Sequence, residues 1–194
     1  MEMVDGIMKT FIGIKIPDSI QTAIYDTQTK LRETLGHAPK ISWAKKENLH
    51  ITLLFLGNLD DEKRDRGWSQ LRQIDFSKID PNLAITCMGL FDSDKNPKTI
   101  WIGTQNFEKN LNAIYNQTTT IFGDLGVKID SKPFIPHITI GRIRFIKNIT
   151  SLMDFIHTHE TESFGKFLID TITLFESQTT PDGPQYNVID EIII

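Results

Sequence analysis

At 194 residues, with 39% hydrophobic and 24% charged residues, the chain has the make-up of a globular protein large enough for one domain or two small lobes. A formal charge of -4 argues against a protein that grips long stretches of nucleic acid, although Arg142, Arg144 and Lys147 could still furnish a local basic pocket. No apolar run approaches the ~20 residues that cross a bilayer, and the start MEMVDGIMKTFIGIKIP lacks the basic flank and cleavage site of a secretory leader, so a cytoplasmic protein is expected.

The first apolar stretch, Thr10 to Ile16 (TFIGIKI), reads as a strand. Pro17 and Asp18 then open a helix, with Asp18 placed to cap it; Ile20, Ala23, Ile24, Leu31 and Leu35 form its apolar face and Gly36 closes it. A strand follows over Leu49 to Leu56 (LHITLLFL), then a helix over Asp61 to Ile74 and a strand over Leu83 to Phe91. The lone Cys87 sits in that strand, in the run LAITCMGLF, which suits a buried structural thiol rather than cysteine chemistry. Thr99 to Ile102 (TIWI) is a further strand, and a second long helix runs from about Asn106 through Phe107, Leu111, Ile114, Tyr115, Ile121, Phe122 and Leu125 to Gly126. His137 to Ile143 (HITIGRI) is a strand, Ile149 to His159 a helix, and Phe167 to Glu176 and Tyr186 to Ile194 are strands.

These elements repeat. AIYDTQTKL (Ala23 to Leu31) resembles AIYNQTTTI (Ala113 to Ile121), and each is followed, after a glycine-containing loop, by a strand carrying His-x-Thr. The pattern predicts an α+β fold of two pseudo-symmetric lobes within one unit, residues 1–194. The halves are roughly 8–92 and 97–180, each a small antiparallel or mixed sheet backed by helices, with terminal strands exchanged between them. A pseudo-two-fold axis would bring the two His-x-Thr strands face to face across a central cleft.

His50-Ile51-Thr52 and His137-Ile138-Thr139 lie 87 residues apart. Along a strand, positions i and i+2 share a face, so each histidine projects beside its threonine. Opening a cyclic phosphodiester requires one group to take a proton from water and another to protonate the departing sugar oxygen. Histidine, with an unperturbed pKa of about 6.5, can do either. Threonine hydroxyls would donate to the non-bridging oxygens, whose charge grows in the transition state. Arg142 could add a bidentate contact to the phosphate. Its odd offset from His137 requires a bend, and Gly141 is the expected place for a bulge. One His-x-Thr by itself reads as a half-buried strand; two in matching context read as a site. Neither motif offers a ligand set for a metal, and no cofactor is expected.

His157 and His159, at a helix end, do not share a helix face and are expected to satisfy carbonyls and the helix dipole. His37, in a loop, has no evident partner. Trp43, Phe55, Trp101 and Phe134 could stack a base or ribose, although aromatics beside strands usually pack inward. Phe134, just before the second motif, is the first choice.

The chain resembles the 2H phosphoesterases, and within them the RNA 2',3'-cyclic phosphodiesterases, also called 2'-5' RNA ligases (LigT-like). The resemblance rests on Phe11-Ile12-Gly13-Ile14, Trp43, Asn48-Leu49-His50-Ile51-Thr52-Leu53, Phe55-Leu56-Gly57, Trp101-Ile102-Gly103, Pro136-His137-Ile138-Thr139-Ile140-Gly141-Arg142, Leu174-Phe175-Glu176-Ser177 and Gly183-Pro184-Gln185-Tyr186. It implies a bilobal fold and metal-independent opening of 2',3'-cyclic phosphate ends to 2'-phosphates. His50 and His137 would be the acid/base pair, and Thr52, Thr139 and Arg142 the phosphate ligands. Many members carry a basic residue two positions before the second histidine, where this chain has Ile135; Arg144 or Lys132 could supply that charge.

The expected partners are RNA 3' ends or small cyclic nucleotides, with no membrane and a monomeric state, since one chain already holds both half-sites. Joining of tRNA halves through a 2'-5' linkage is an alternative with the same residues. Without a P-loop or nucleotide-binding lysine motif it would be reversible and weak. A non-catalytic nucleotide or RNA-end binder is the third reading.

Overall fold

The computed structural model describes residues 9–194 except Ala38, Asp94, Asn106, Asn148 and Asp182. Strand β1 (Lys9–Lys15) leads into helix α1 (Asp18–Leu35), followed by β2 (Lys40–Trp43), a 3-10 turn (Lys46–Asn48), β3 (His50–Gly57), α2 (Asp61–Leu71) and β4 (Asn82–Ser93). The second half continues with β5 (Asn96–Gln105), a 3-10 turn (Phe107–Lys109), α3 (Leu111–Asp124), β6 (His137–Phe145), α4 (Ile149–Thr158), β7 (Ser163–Leu168), β8 (Thr171–Thr180) and β9 (Gly183–Ile193). The strands form one nine-stranded sheet in the order β7-β4-β5-β6-β3-β1-β8-β9, with β2 paired to β6. Every ladder in it is antiparallel.

The two halves meet where β3 and β6 touch through one residue pair, Ile51↔Ile138. Residues of both strands line a cleft at that seam. Strands also cross between halves: β2, from the first, lies on β6, while β8 and β9 extend the sheet beside β1. The core runs through both halves, with Ile12, Ile24, Leu31, Ile51, Ile100, Ile114, Phe122, Ile138 and Ile172 all fully or nearly fully withdrawn from water.

Three local expectations are corrected. Asp18 does not cap α1: Pro17 holds the cap position, and Asp18 is the first helical residue, paired with Lys46 Nζ at 2.8 Å. The segment expected as one strand over Phe167 to Glu176 is broken at Ile169 and Asp170. Ile169 N–H donates to Pro81 O as the chain leaves β4 for β1, so β7 and β8 belong to different halves. The second long helix starts later than expected, with Asn110 accepting from Leu111 N–H at 2.6 Å; its expected start at Asn106 lies outside the described residues. The expected ends at Gly36 and Gly126 stand at positive φ, 64° and 89°.

Candidate active site

Both His-x-Thr strands use the same backbone device. On β3, Gly13 pairs with Thr52 and Ile12 with Leu54, so Leu53 is an extra residue. On β6, Trp101 pairs with Thr139 and Ile100 with Gly141, so Ile140 is extra. Each bulge resets the alternation of faces. As a result Phe55 returns to the face of His50 and Thr52, and Arg142 to the face of His137 and Thr139; the burial patterns of the two strands are the same from the histidine to the glycine or arginine beyond it. The bend that Arg142 requires therefore exists, one residue before the expected Gly141. Gly141 has another task. A Cβ there would lie 3.1 Å from Ile41 Cγ2 and Trp43 Cε3, so its absence lets β2 and the indole lie flat against β6. Gly13 likewise permits the β1–β3 approach, since a Cβ would meet Ile51 O at 2.6 Å.

The Ile140 bulge is held from α1. Its carbonyl accepts from the buried Gln28 Nε2 at 2.9 Å and from Ala44 N–H at 3.0 Å, and Gln28 Nε2 also reaches Ala44 O at 2.9 Å. A glutamine on an apolar helix face thus fixes the direction of Arg142, a role that no local sequence pattern reveals.

The cleft, about 540 Å³, is lined by His50, Thr52, His137, Thr139 and Arg142 together with Phe55 and Tyr186. His50 Nδ1 donates to Asn48 O at 2.7 Å and His137 Nδ1 donates to Ile135 O at 2.8 Å. With Nδ1 carrying the hydrogen, the neutral form of each ring keeps its lone pair on Nε2. His50 Nε2 accepts from Thr52 Oγ1–H at 3.0 Å. Asn48 is itself anchored, its Nδ2 donating to Pro184 O at 2.7 Å, and Ile135 contributes through its carbonyl while its side chain is 50% exposed.

The two rings sit in different surroundings. His50 lies against Phe11 (centroids 4.8 Å), Tyr186 (4.9 Å) and Phe175 (5.9 Å), whereas His137 meets the edge of Phe91 at 4.6 Å. Burial lowers the pKa of His50 to about 4, against the opposing Asn48 carbonyl and with the positive charges of His137 and Arg142 adding to the depression. His137 is also lowered, first by burial and then by Arg142, with the Ile135 carbonyl opposing. Burial raises the pKa of the Tyr186 phenol.

Of the other expected residues, Phe134 stacks on Tyr115 (4.1 Å, 3° between planes) and packs against the core, and it is not in the cleft wall. Phe55, 64% exposed, lines the cleft instead, together with Trp43 and Tyr186. Arg144 lines the cleft, as does Lys45; Lys132 does not. Trp101 covers Gly89 and Gly103 instead. His159 Nδ1 donates to Phe155 O at 2.7 Å at the end of α4. Sequence reasoning missed Phe91, Phe175 and Gln28 as supports, whose ring and amide contacts are tertiary, and Asn48, whose carbonyl serves the histidine two residues on. Among the described residues no three His, Cys, Asp or Glu side chains gather to hold a metal ion.

A family model described as LigT like Phosphoesterase matches this chain twice, over residues 14–101 and 102–186. The RNA 2',3'-cyclic phosphodiesterase of Methanocaldococcus jannaschii is 34% identical over 184 residues, covering 95% of this chain and 99% of the relative. That of Archaeoglobus fulgidus is 30% identical over 179 residues, covering 92% and 96%. Among solved structures, TT0787 of Thermus thermophilus aligns with a TM-score of 0.76 at 20% identity, covering 96% of this chain and 97% of the other. E. coli LigT complexed with 3'-AMP aligns with a TM-score of 0.73 at 18% identity, covering 96% and 98%.

Proposed function

The chain belongs to the LigT-like phosphoesterase family, and on that basis we propose that it hydrolyses 2',3'-cyclic phosphate ends of RNA to 2'-phosphates by acid/base catalysis between His50 and His137. The observation that carries this reading is the convergence of both His-x-Thr pairs and Arg142 on one cleft. One imidazole takes a proton from water through Nε2 as the water oxygen bonds to phosphorus. The other gives its Nε2 proton to the 3' oxygen as the P–O3' bond breaks, leaving the phosphate on the 2' oxygen. Thr52, Thr139 and Arg142 hold the non-bridging oxygens, whose negative charge grows in the transition state. Burial and neighbouring positive charge hold both histidines below their ordinary pKa. An anionic substrate raises both, which supplies the proton that the leaving oxygen needs.

Phe55 is the surface on which the terminal base stacks, in the same cleft wall that Arg142 and Arg144 line. The family relationship and the names of the M. jannaschii and A. fulgidus relatives support the reaction. We take residues 1–194 as one bilobal unit, acting as a monomer on RNA 3' ends or small nucleotides in the cytoplasm. Among the described residues no helix is long and apolar enough to cross a membrane.

The direct test is to incubate the protein in EDTA with a short RNA ending in a 2',3'-cyclic phosphate and determine which oxygen of the product carries phosphate. A 2'-phosphate made by wild type but by neither His50→Ala nor His137→Ala is the expected result. A 3'-phosphate, or turnover undiminished in either variant, would overturn it.

A further inference from the structure

A second cavity, about 610 Å³, opens between the C-terminal half of α1 and β2, with Tyr25, Arg32, Glu33, Ile41 and Trp43 in its wall. Its volume suits a nucleotide-sized ligand. It also adjoins the catalytic cleft, because Trp43 lines both. The Arg32 guanidinium lies over the Trp43 ring, 5.8 Å from its centroid, a cation–π arrangement that holds the charge in place. Among the described residues, Arg32 forms no ion pair, and neither do Lys45, Arg142 or Arg144 in the cleft. Tyr25, 36% exposed, adds a second aromatic surface.

We propose that this groove binds the single-stranded RNA that precedes the reacting end, stacking a base on Tyr25 and holding a phosphate with Arg32. The proposal rests on the reading of the cleft as an RNA-end hydrolase and names its substrate class: oligonucleotides rather than mononucleotides. A polyanion leaving the cleft follows positive charge. Lys45 and Arg144 line the cleft, and Arg32 stands over Trp43, the residue that both cavities share. Among the described residues of the turn that also lines the cleft, Pro181, Gly183 and Pro184 carry no charge. Aromatic stacking with an adjacent cation is the usual means of holding single strands without reading sequence. Glu33, on the same groove, opposes the phosphate and gives the proposal a sign to test.

The experiment compares a trinucleotide 3'-phosphate with a nucleoside 3'-phosphate as binding probes, and the matching 2',3'-cyclic compounds as substrates. Wild type should bind the trinucleotide about tenfold more tightly than the mononucleotide. Arg32→Gln and Tyr25→Ala should bring that ratio close to one, and Glu33→Gln should raise it; all three side chains are exposed, so the fold should tolerate each change. A wild-type ratio near one, or a ratio that Arg32→Gln does not move, would remove the groove from the RNA path. If wild type turns over neither cyclic compound while the binding ratio still depends on Arg32, the groove stands and the hydrolase reading falls.

Discussion

Strands β3 and β6 carry the same tripeptide, the same bulge and the same burial pattern, and they differ in what the bulge delivers. On β3 it returns Phe55 to the cleft; on β6 it returns Arg142. The histidines differ too. His50 is enclosed by three aromatic rings and bonded to Thr52, while His137 meets one ring edge and its Nε2 has no protein partner among the described residues. In the proposed reaction, the shared features supply what is needed on two sides of one phosphorus atom. The differences put an exposed ring on β3 and a guanidinium on β6, both in the cleft lining.

The largest effects should come from what the halves share. His50→Ala and His137→Ala should each lower kcat by about 10²–10⁴-fold, and the double variant should be little worse than either single one, because the pair acts as a unit. Single-turnover rates on a cyclic-phosphate RNA measure this; a double variant whose loss equals the product of the two would contradict the symmetric description. Thr52→Val and Thr139→Val should each cost about 10²-fold in kcat. Thr52→Val should also perturb the titration of His50, since Thr52 Oγ1 bonds to that ring. Histidine NMR shifts against pH would reveal it.

Arg142 acts on both halves, because its charge lowers the pKa of both histidines. The kcat/KM profile should be a bell that needs one histidine charged and one neutral. It should fall below about pH 4, where His50 gains a proton, and fall again on the alkaline side before 6.5, where His137 loses its own. Arg142→Gln should move both limbs to higher pH, besides lowering kcat. A smaller effect is expected at Phe55, where Phe55→Ala should raise KM about tenfold and leave kcat nearly unchanged, with Phe55→Trp restoring KM.

The smallest effect concerns stability. Folding lowers the His50 pKa from 6.5 to about 4, so between those values the unfolded chain binds the extra proton and stability falls as the pH drops. Thermal melts of His50→Gln should therefore lose less Tm than wild type between pH 6.5 and 4.

Much of this was legible from local pattern. Long apolar strands, two amphipathic helices and the paired His-x-Thr runs stand out because period and motif are properties of neighbouring residues. Where the determinants are non-local, pattern is silent. The four-residue β2 (KISW) gains its identity by pairing with β6, and the run from Phe167 to Glu176 is cut at Asp170 because its two ends serve different halves. Phe134 and Phe55 look alike as aromatics beside a motif, yet Tyr115 takes the first and a bulge exposes the second.

Residue order alone carries the duplicated plan and the chemistry of the two histidines and two threonines, since repetition and side-chain type need no coordinates. Folding in three dimensions adds the rest: one Ile51↔Ile138 contact joins the halves into a cleft, Gln28 holds the bulge that aims Arg142, and unequal burial gives the twin histidines unequal proton affinities. Register, bulges and desolvation depend on segments distant along the chain, Gln28 and Ile140 more than a hundred residues apart, and no window of neighbouring residues contains them.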